Sequence, residues 1–197
     1  MTLSLRVFAI ALCLVWTVVA APITYVATLN GPTEGTNSPG TGTGMAIIDT
    51  TANTLFVTET FSGLLSPTSA SHIHCCTTAP LTGTAGVATQ VPSFSLFPSG
   101  VTSGTFSQTF DLTLASSWNA SFITANGGTP ASAEAAFAAG LAAGKTYFNI
   151  HTSQFPGGEI EGFLTPQASG VPEPSTFGLA LFGVAGLMAW RRKRHAR

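Results

Sequence analysis

Apolar and polar residues alternate through most of the interior of this 197-residue chain. The runs ITYVATLN (23–30), GTGMAIID (42–49), TLFVTETF (54–61), SHIHC (71–75), GTFSQTFDLTL (104–114), TYFNIHT (146–152) and EIEGFL (159–164) are short and rich in Thr, Val, Ile, Phe and Tyr. A period of two sends one set of side chains to a core and the other to water, and β-branched and aromatic residues suit a pleated, half-buried surface. Seven such runs separated by Gly, Pro, Asn and Ser predict a mostly β domain, an antiparallel sandwich of immunoglobulin-like or Greek-key type. NGPTEGTNSPGTG (30–42) reads as a loop, and FPGG (155–158) as a tight hairpin turn. The period breaks at SSWNASFITANGG (116–128) and PASAEAAFAAGLAAG (130–144). There the Ala-rich stretch, with Phe137 and Leu141 four apart and Gly144 as a stop, predicts one or two short helices before the last hairpin.

Both ends depart from this alternation. Residues 1–21 carry Arg6 ahead of an apolar run from Val7 to Val19 and then small residues, the pattern of a cleaved secretory signal. At the other end an apolar run from Phe177 to Trp190 is followed by Arg191, Arg192, Lys193 and Arg194. As a helix that run reaches about 21 Å, short for a hydrocarbon core of ~30 Å, and the basic cluster would hold the carboxyl terminus on the cytoplasmic side. Pro172, Glu173 and Pro174, the apolar run and the Arg cluster together resemble the PEP-CTERM sorting signal of Gram-negative bacteria. The resemblance implies an exosortase-type processing enzyme as partner, transit through the inner membrane on the tail, and delivery to the cell surface, outer membrane or extracellular matrix, often beside exopolysaccharide or surface proteins. A plain membrane anchor is the rival reading. The expected layout is a signal peptide (1–21), a β-sandwich domain (22–166), a linker with the sorting motif (167–175) and a transmembrane or sorting tail (176–197).

Removing the ends changes the electrostatics. From Pro22 to Gly170 the only base is Lys145, against Glu34, Asp49, Glu59, Asp111, Glu134, Glu159 and Glu161, so this stretch carries −6 although the whole chain is near neutral. With no basic stripe for phosphates, nucleic acid is excluded as a partner. Cys13 belongs to the signal, which leaves Cys75 and Cys76 and no framework of disulfides; a packed core must hold the fold.

Across the domain, ATLNGPTEG, GTGMAIID, LFVTETFSGLLSPTSASHIH and AAFAAGLAAGKTYFNIHTSQFPGGEIEGFL occur in the order that resembles the CHRD domain, and YFNIHTSQFPGGEIEGFL is the most telling piece. The resemblance implies an all-β module in an extracellular protein and carries over no catalytic role. The adjacent cysteines after His74 stand where many members have a Gly-Pro turn.

Chemistry concentrates in SHIHCC. On a strand His72 and His74 share a face with Cα atoms about 6.6–6.8 Å apart, while Ser71 and Ile73 take the other. His151 shares a face with Tyr147 and Asn149. Three imidazoles on neighbouring strands would suit copper or zinc, with Cys76 or Glu159 assisting if the strand runs on and the hairpin brings a carboxylate near. The His-x-His strand is similar to the copper-binding strand of copper-zinc superoxide dismutases. The likeness covers only a few residues, and the domain has no Arg to serve as a channel residue. The plain alternative is that the three histidines tie strands and loops by hydrogen bonds. Cys75 and Cys76 have three readings: a vicinal disulfide, a buried thiol pair, or a thiolate ligand beside the histidines. Their Cα separation across a trans peptide, ~3.8 Å, is below the ~4.4 Å of ordinary disulfides.

GLAAGKT (140–146) ends like a phosphate-binding loop, but residue 139 is Ala where that pattern needs Gly. No nucleophile elbow occurs, and Glu159 with Glu161 reads as the wet face of a terminal strand before it reads as an acid–base pair. The expected function is therefore a non-enzymatic binding or structural role in an exported surface or matrix protein. The alternative is a copper- or zinc-binding, redox-capable sandwich using His72, His74 and His151.

Overall fold

The computed structural model describes residues 20–167. All but the last two residues of the expected signal peptide (1–21), the sorting residues Pro172, Glu173, Pro174, Arg191, Arg192, Lys193 and Arg194, and the expected tail (176–197) lie outside them. Among the described residues no helix is long and apolar enough to cross a membrane.

Eight antiparallel strands carry the fold: β1 (Ile23–Asn30), β2 (Thr41–Asp49), β3 (Thr54–Ser62), β4 (Thr68–Cys75), β5 (Gly104–Asp111), β6 (Thr146–Thr152), β7 (Ile160–Phe163) and β8 (Thr165–Pro166). Each of the seven alternating runs becomes one of the first seven strands. β1, β2, β3 and β5 form a meander in unbroken register, from Tyr25 opposite Ala46 and Ala46 opposite Val57 to Val57 opposite Gln108. β4, β6 and β7 form the other half, joined to the meander where Asn30 of β1 faces Glu161 of β7. The sandwich expected from the alternation is thus a single hydrogen-bonded sheet that curls over on itself.

Contacts between strands that are not sheet neighbours show the curl. A Cβ on Gly44 of β2 would meet the Phe148 ring of β6 at 2.5 Å, and the Ser71 hydroxyl of β4 lies 2.8 Å from the Glu59 carboxylate of β3. Gly44 is therefore required: only a residue without Cβ lets the β6 ring approach the β2 backbone so closely. Leu29, Val57, Ile73, Phe148, Ile150 and Ile160 fill the space between the halves, each fully buried. Phe94 and Phe97, from the long loop after β4, close one end. Phe94 stacks on Phe106 at 5.4 Å between ring centroids, and Phe97 on Phe61 at 5.5 Å.

Among the described residues three short helices are added: α1 (Gly31–Glu34), α2 (Ala120–Ala125) and α3 (Pro130–Ala142). The second and third, with a 3₁₀ turn at Ala115–Ser117, fall where the Ala-rich segments predict helix. Thr129 caps α3 through a capping box with Ser132. Gly144, at φ 65°, ends it, and the Lys145 amide turns back to the Gly140 carbonyl at 2.9 Å. Phe137 and Leu141 are buried on one face as their spacing requires, and Trp118 meets Phe137 edge-on at 5.6 Å. α1 replaces part of an expected loop. The Asn30 side chain caps it, Pro32 opens it, and Gly35 at φ 84° closes it within a single turn too short to leave an apolar period.

Candidate metal centre

β4 and β6 are adjacent, with His72 opposite Asn149, His74 opposite Tyr147, and Ala70 opposite His151. All six side chains share one face of the sheet, and His151 is the diagonal neighbour of His72. Ring centroids are 5.0 Å apart for His72 and His151, and 5.9 Å for His74 with either one. One ring nitrogen from each of the three lies within 4.8 Å of the others. All three are buried, with 6, 8 and 9% of their surface exposed.

Each imidazole is held by one backbone carbonyl. His72 Nε2 bonds the Pro92 oxygen at 2.6 Å, His74 Nδ1 that of Ala85 at 2.8 Å, and His151 Nδ1 that of Pro156 at 3.0 Å. A carbonyl only accepts, so these nitrogens carry the protons, and the tautomers follow. The remaining nitrogens, Nδ1 of His72 and Nε2 of His74 and His151, are buried without a hydrogen-bond partner. Loss of water holds the three rings neutral: it pulls His72 and His74 down to about 4, against the weaker pull of their carbonyl bonds, and lowers His151 as well. Three neutral imidazoles thus present lone pairs in a buried cluster. Tyr147 supports the arrangement, stacking on His74 at 4.8 Å while its hydroxyl reaches the Ala85 carbonyl that also anchors His74.

The other residues singled out from sequence are not in this cluster. β4 ends at Cys75, and Cys76 does not continue onto the histidine face. The two sulfurs are bonded to each other, with Cα atoms 3.0 Å apart. They press on α3, where a Cβ at Gly140 would meet both at 2.5 Å. Glu159 sits in a bend before β7, so its side chain leaves the face the alternation assigns it. Its carboxylate accepts from the Ser38 hydroxyl and the Leu65 amide, each at 2.6 Å, and from the Thr152 hydroxyl at 2.7 Å. Glu161 does stay on the histidine face, opposite Asn149, and is buried instead of forming a wet edge. The carbonyl anchors Pro92, Ala85 and Pro156 left no sequence signal, because any residue offers the same oxygen.

A curled antiparallel sheet carrying three buried imidazoles, in a chain that ends with a sorting signature, defines an exported β-domain protein. Comparison with protein families matches residues 25–164 to the CHRD domain and residues 170–194 to the PEP-CTERM protein-sorting motif. The chain belongs to the CHRD domain family. Its sorting motif marks an exported protein that passes through the membrane and is handled by an exosortase-type system. No curated protein and no solved structure matches it.

Proposed function

We propose that this exported CHRD protein is a metal-binding module of the cell surface or matrix, holding one copper or zinc ion on His72, His74 and His151. One observation carries the reading: each of these three histidines donates one ring N–H to a carbonyl and leaves its second nitrogen buried, neutral and unpartnered. This is the arrangement in which ligating histidines are held, the carbonyl fixing tautomer and ring direction. Tying loops would explain the three carbonyl bonds but would leave three buried acceptors unsatisfied, at about 1–3 kcal/mol each. Nitrogen ligands with no thiolate among them suit copper or zinc, and three leave a fourth position for water or a small ligand.

A role in binding or structure is favoured over catalysis. No Arg lies between Pro22 and Gly170 to steer an anion, and Glu159, the candidate carboxylate, is engaged elsewhere. The sorting motif supports delivery to the outer surface, with exopolysaccharide or surface proteins as neighbours.

The test is metal analysis of the purified full chain after chelator treatment and reloading. One copper or zinc per chain is expected, with His72→Ala and His151→Ala each abolishing it. Protein that stays metal-free under excess ion, with a thermal midpoint that neither ion moves, would overturn the proposal.

A further inference from the structure

A second group of buried polar side chains lies where α1 meets the last hairpin, and none of it belongs to the histidine cluster. Glu34 ends α1, Asn149 lies on β6, and Glu161 faces Asn149 from β7. Glu161 and Asn149 are 5 and 2% exposed, and Glu34 is half-buried. Asn149 bonds Glu34 and pairs with Glu161 across the sheet, and the two acids are near enough to shift each other's proton affinity. The Asn149 amide lies between Glu34 and the turn, its Nδ2 donating to Glu34 Oε2 at 2.9 Å and to the Gly157 carbonyl at 3.3 Å. Its Oδ1 is buried with no partner. Gly158, at φ 138°, brings bare backbone against the group. A Cβ there would strike both amide atoms of Asn149, and Glu34 Oε1 at 2.6 Å.

We propose that Glu34, Glu161 and Asn149, with the Gly157 carbonyl, form a site for a hard divalent cation of the calcium type. Such ions take oxygens only: carboxylates, amide and backbone carbonyls, and water. The two carboxylates supply the charge, and Asn149 Oδ1 is an amide oxygen with no other duty. A half-turn of the isosteric amide about its last torsion puts that oxygen, in place of Nδ2, toward Glu34 and Gly157 at no cost in shape. Half-exposed Glu34 leaves an entry for the ion and room for water to complete its shell. With the site empty, burial raises both acids, and the neighbouring Glu34 raises Glu161 further, to about 8. The ion would staple the first loop to the terminal hairpin. The histidine nitrogens and this oxygen set select different ions, so the two sites stand or fall separately.

The experiment is thermal unfolding of the chelator-stripped full chain with calcium chloride, against sodium chloride of equal ionic strength. Extracellular calcium modules bind at about 10⁻⁴ M, so 10 mM calcium would favour folding about 100-fold, and at this size the midpoint would rise roughly 5–10 °C. Glu161→Gln and Glu34→Gln should unfold near the stripped wild type and lose the calcium response, while keeping copper or zinc uptake. No calcium shift in the wild type, or one that survives both substitutions, overturns the site. Should a variant not fold, terbium emission from the wild type decides. Emission sensitised by Tyr147, two residues from Asn149 on the same face of β6, and displaced by calcium supports the site, and its absence refutes it.

Discussion

Glu59 is a carboxyl group on β3 in the middle of the apolar core, opposite Gly44 and Phe106 in the sheet and 1% exposed. Loss of water raises it from 4.5 to about 8, and the bond from Ser71 only partly offsets this. At neutral pH it is therefore an acid that keeps its proton. The Ser71 hydroxyl lies 2.8 Å from one carboxyl oxygen and 3.2 Å from the Asn149 carbonyl, so the protonated acid can donate to the Ser71 oxygen and leave the serine hydrogen to that carbonyl. The folded protein holds this proton between pH 4.5 and 8, whereas the unfolded chain has released it. Stability contributed by the neutral acid is present below about 4.5 and is lost as pH rises toward 8, at ~1.4 kcal/mol per pH unit, or about 3 kcal/mol by pH 7. Glu59→Gln keeps the shape and a donor to Ser71 but cannot ionise. Its second amide hydrogen lacks a partner, which costs about 1–3 kcal/mol at any pH. Urea unfolding from pH 5 to 8.5 in constant chelator should find the variant less stable at pH 5, with the gap closing or reversing by pH 8. Above about pH 7.5 the histidines no longer titrate appreciably in either state, so the slope there belongs to raised carboxylates, Glu161 among them. If the variant loses stability with pH as steeply as the wild type, Glu59 is not the buried neutral acid described here.

Further outcomes follow from the same packing. His72 and His74 are lowered to about 4 in the folded chain, so the unfolded chain binds more protons between pH 6.5 and 4. Their contribution is full above 6.5 and is lost as pH falls, by about 3 kcal/mol each, opposed between 4.5 and 6.5 by the carboxylates. In chelator His74→Gln should shrink that acid loss, and an acid limb identical to the wild type would argue against burial as its cause. Gly140→Ala should destabilise by about 1–3 kcal/mol despite alanine's better helix propensity, because its methyl group would strike both cysteine sulfurs. A denaturation midpoint at or above that of the wild type would show that α3 can move away freely. Loading copper or zinc should extend stability to lower pH, since protons must then displace the ion from the imidazoles, as acid unfolding with and without metal would reveal.

The strands were legible in the sequence because alternation is a local property: each run needs only one buried and one wet face to declare itself. Thr129, Phe137, Leu141 and Gly144 likewise marked α3 through short-range capping and spacing, and α1 escaped because one turn has no period. The pairing of His72 with His74 on one face was equally local. What brought His151 beside them is the register of β4 against β6, a contact across more than seventy residues that no run encodes. The fates of Glu159 and Glu161 depended on a single bend: it turned the first toward Ser38 and Thr152 and left the second against Glu34. Composition by itself gave the net negative charge and the β-rich alternation, and the terminal motifs pointed to export; it did not show that Glu59, Glu134, Glu159 and Glu161 are buried. Only the closed tertiary structure decided which nitrogens and carboxyl oxygens lose their water, because desolvation comes from every strand packed around a group and not from its neighbours in the chain.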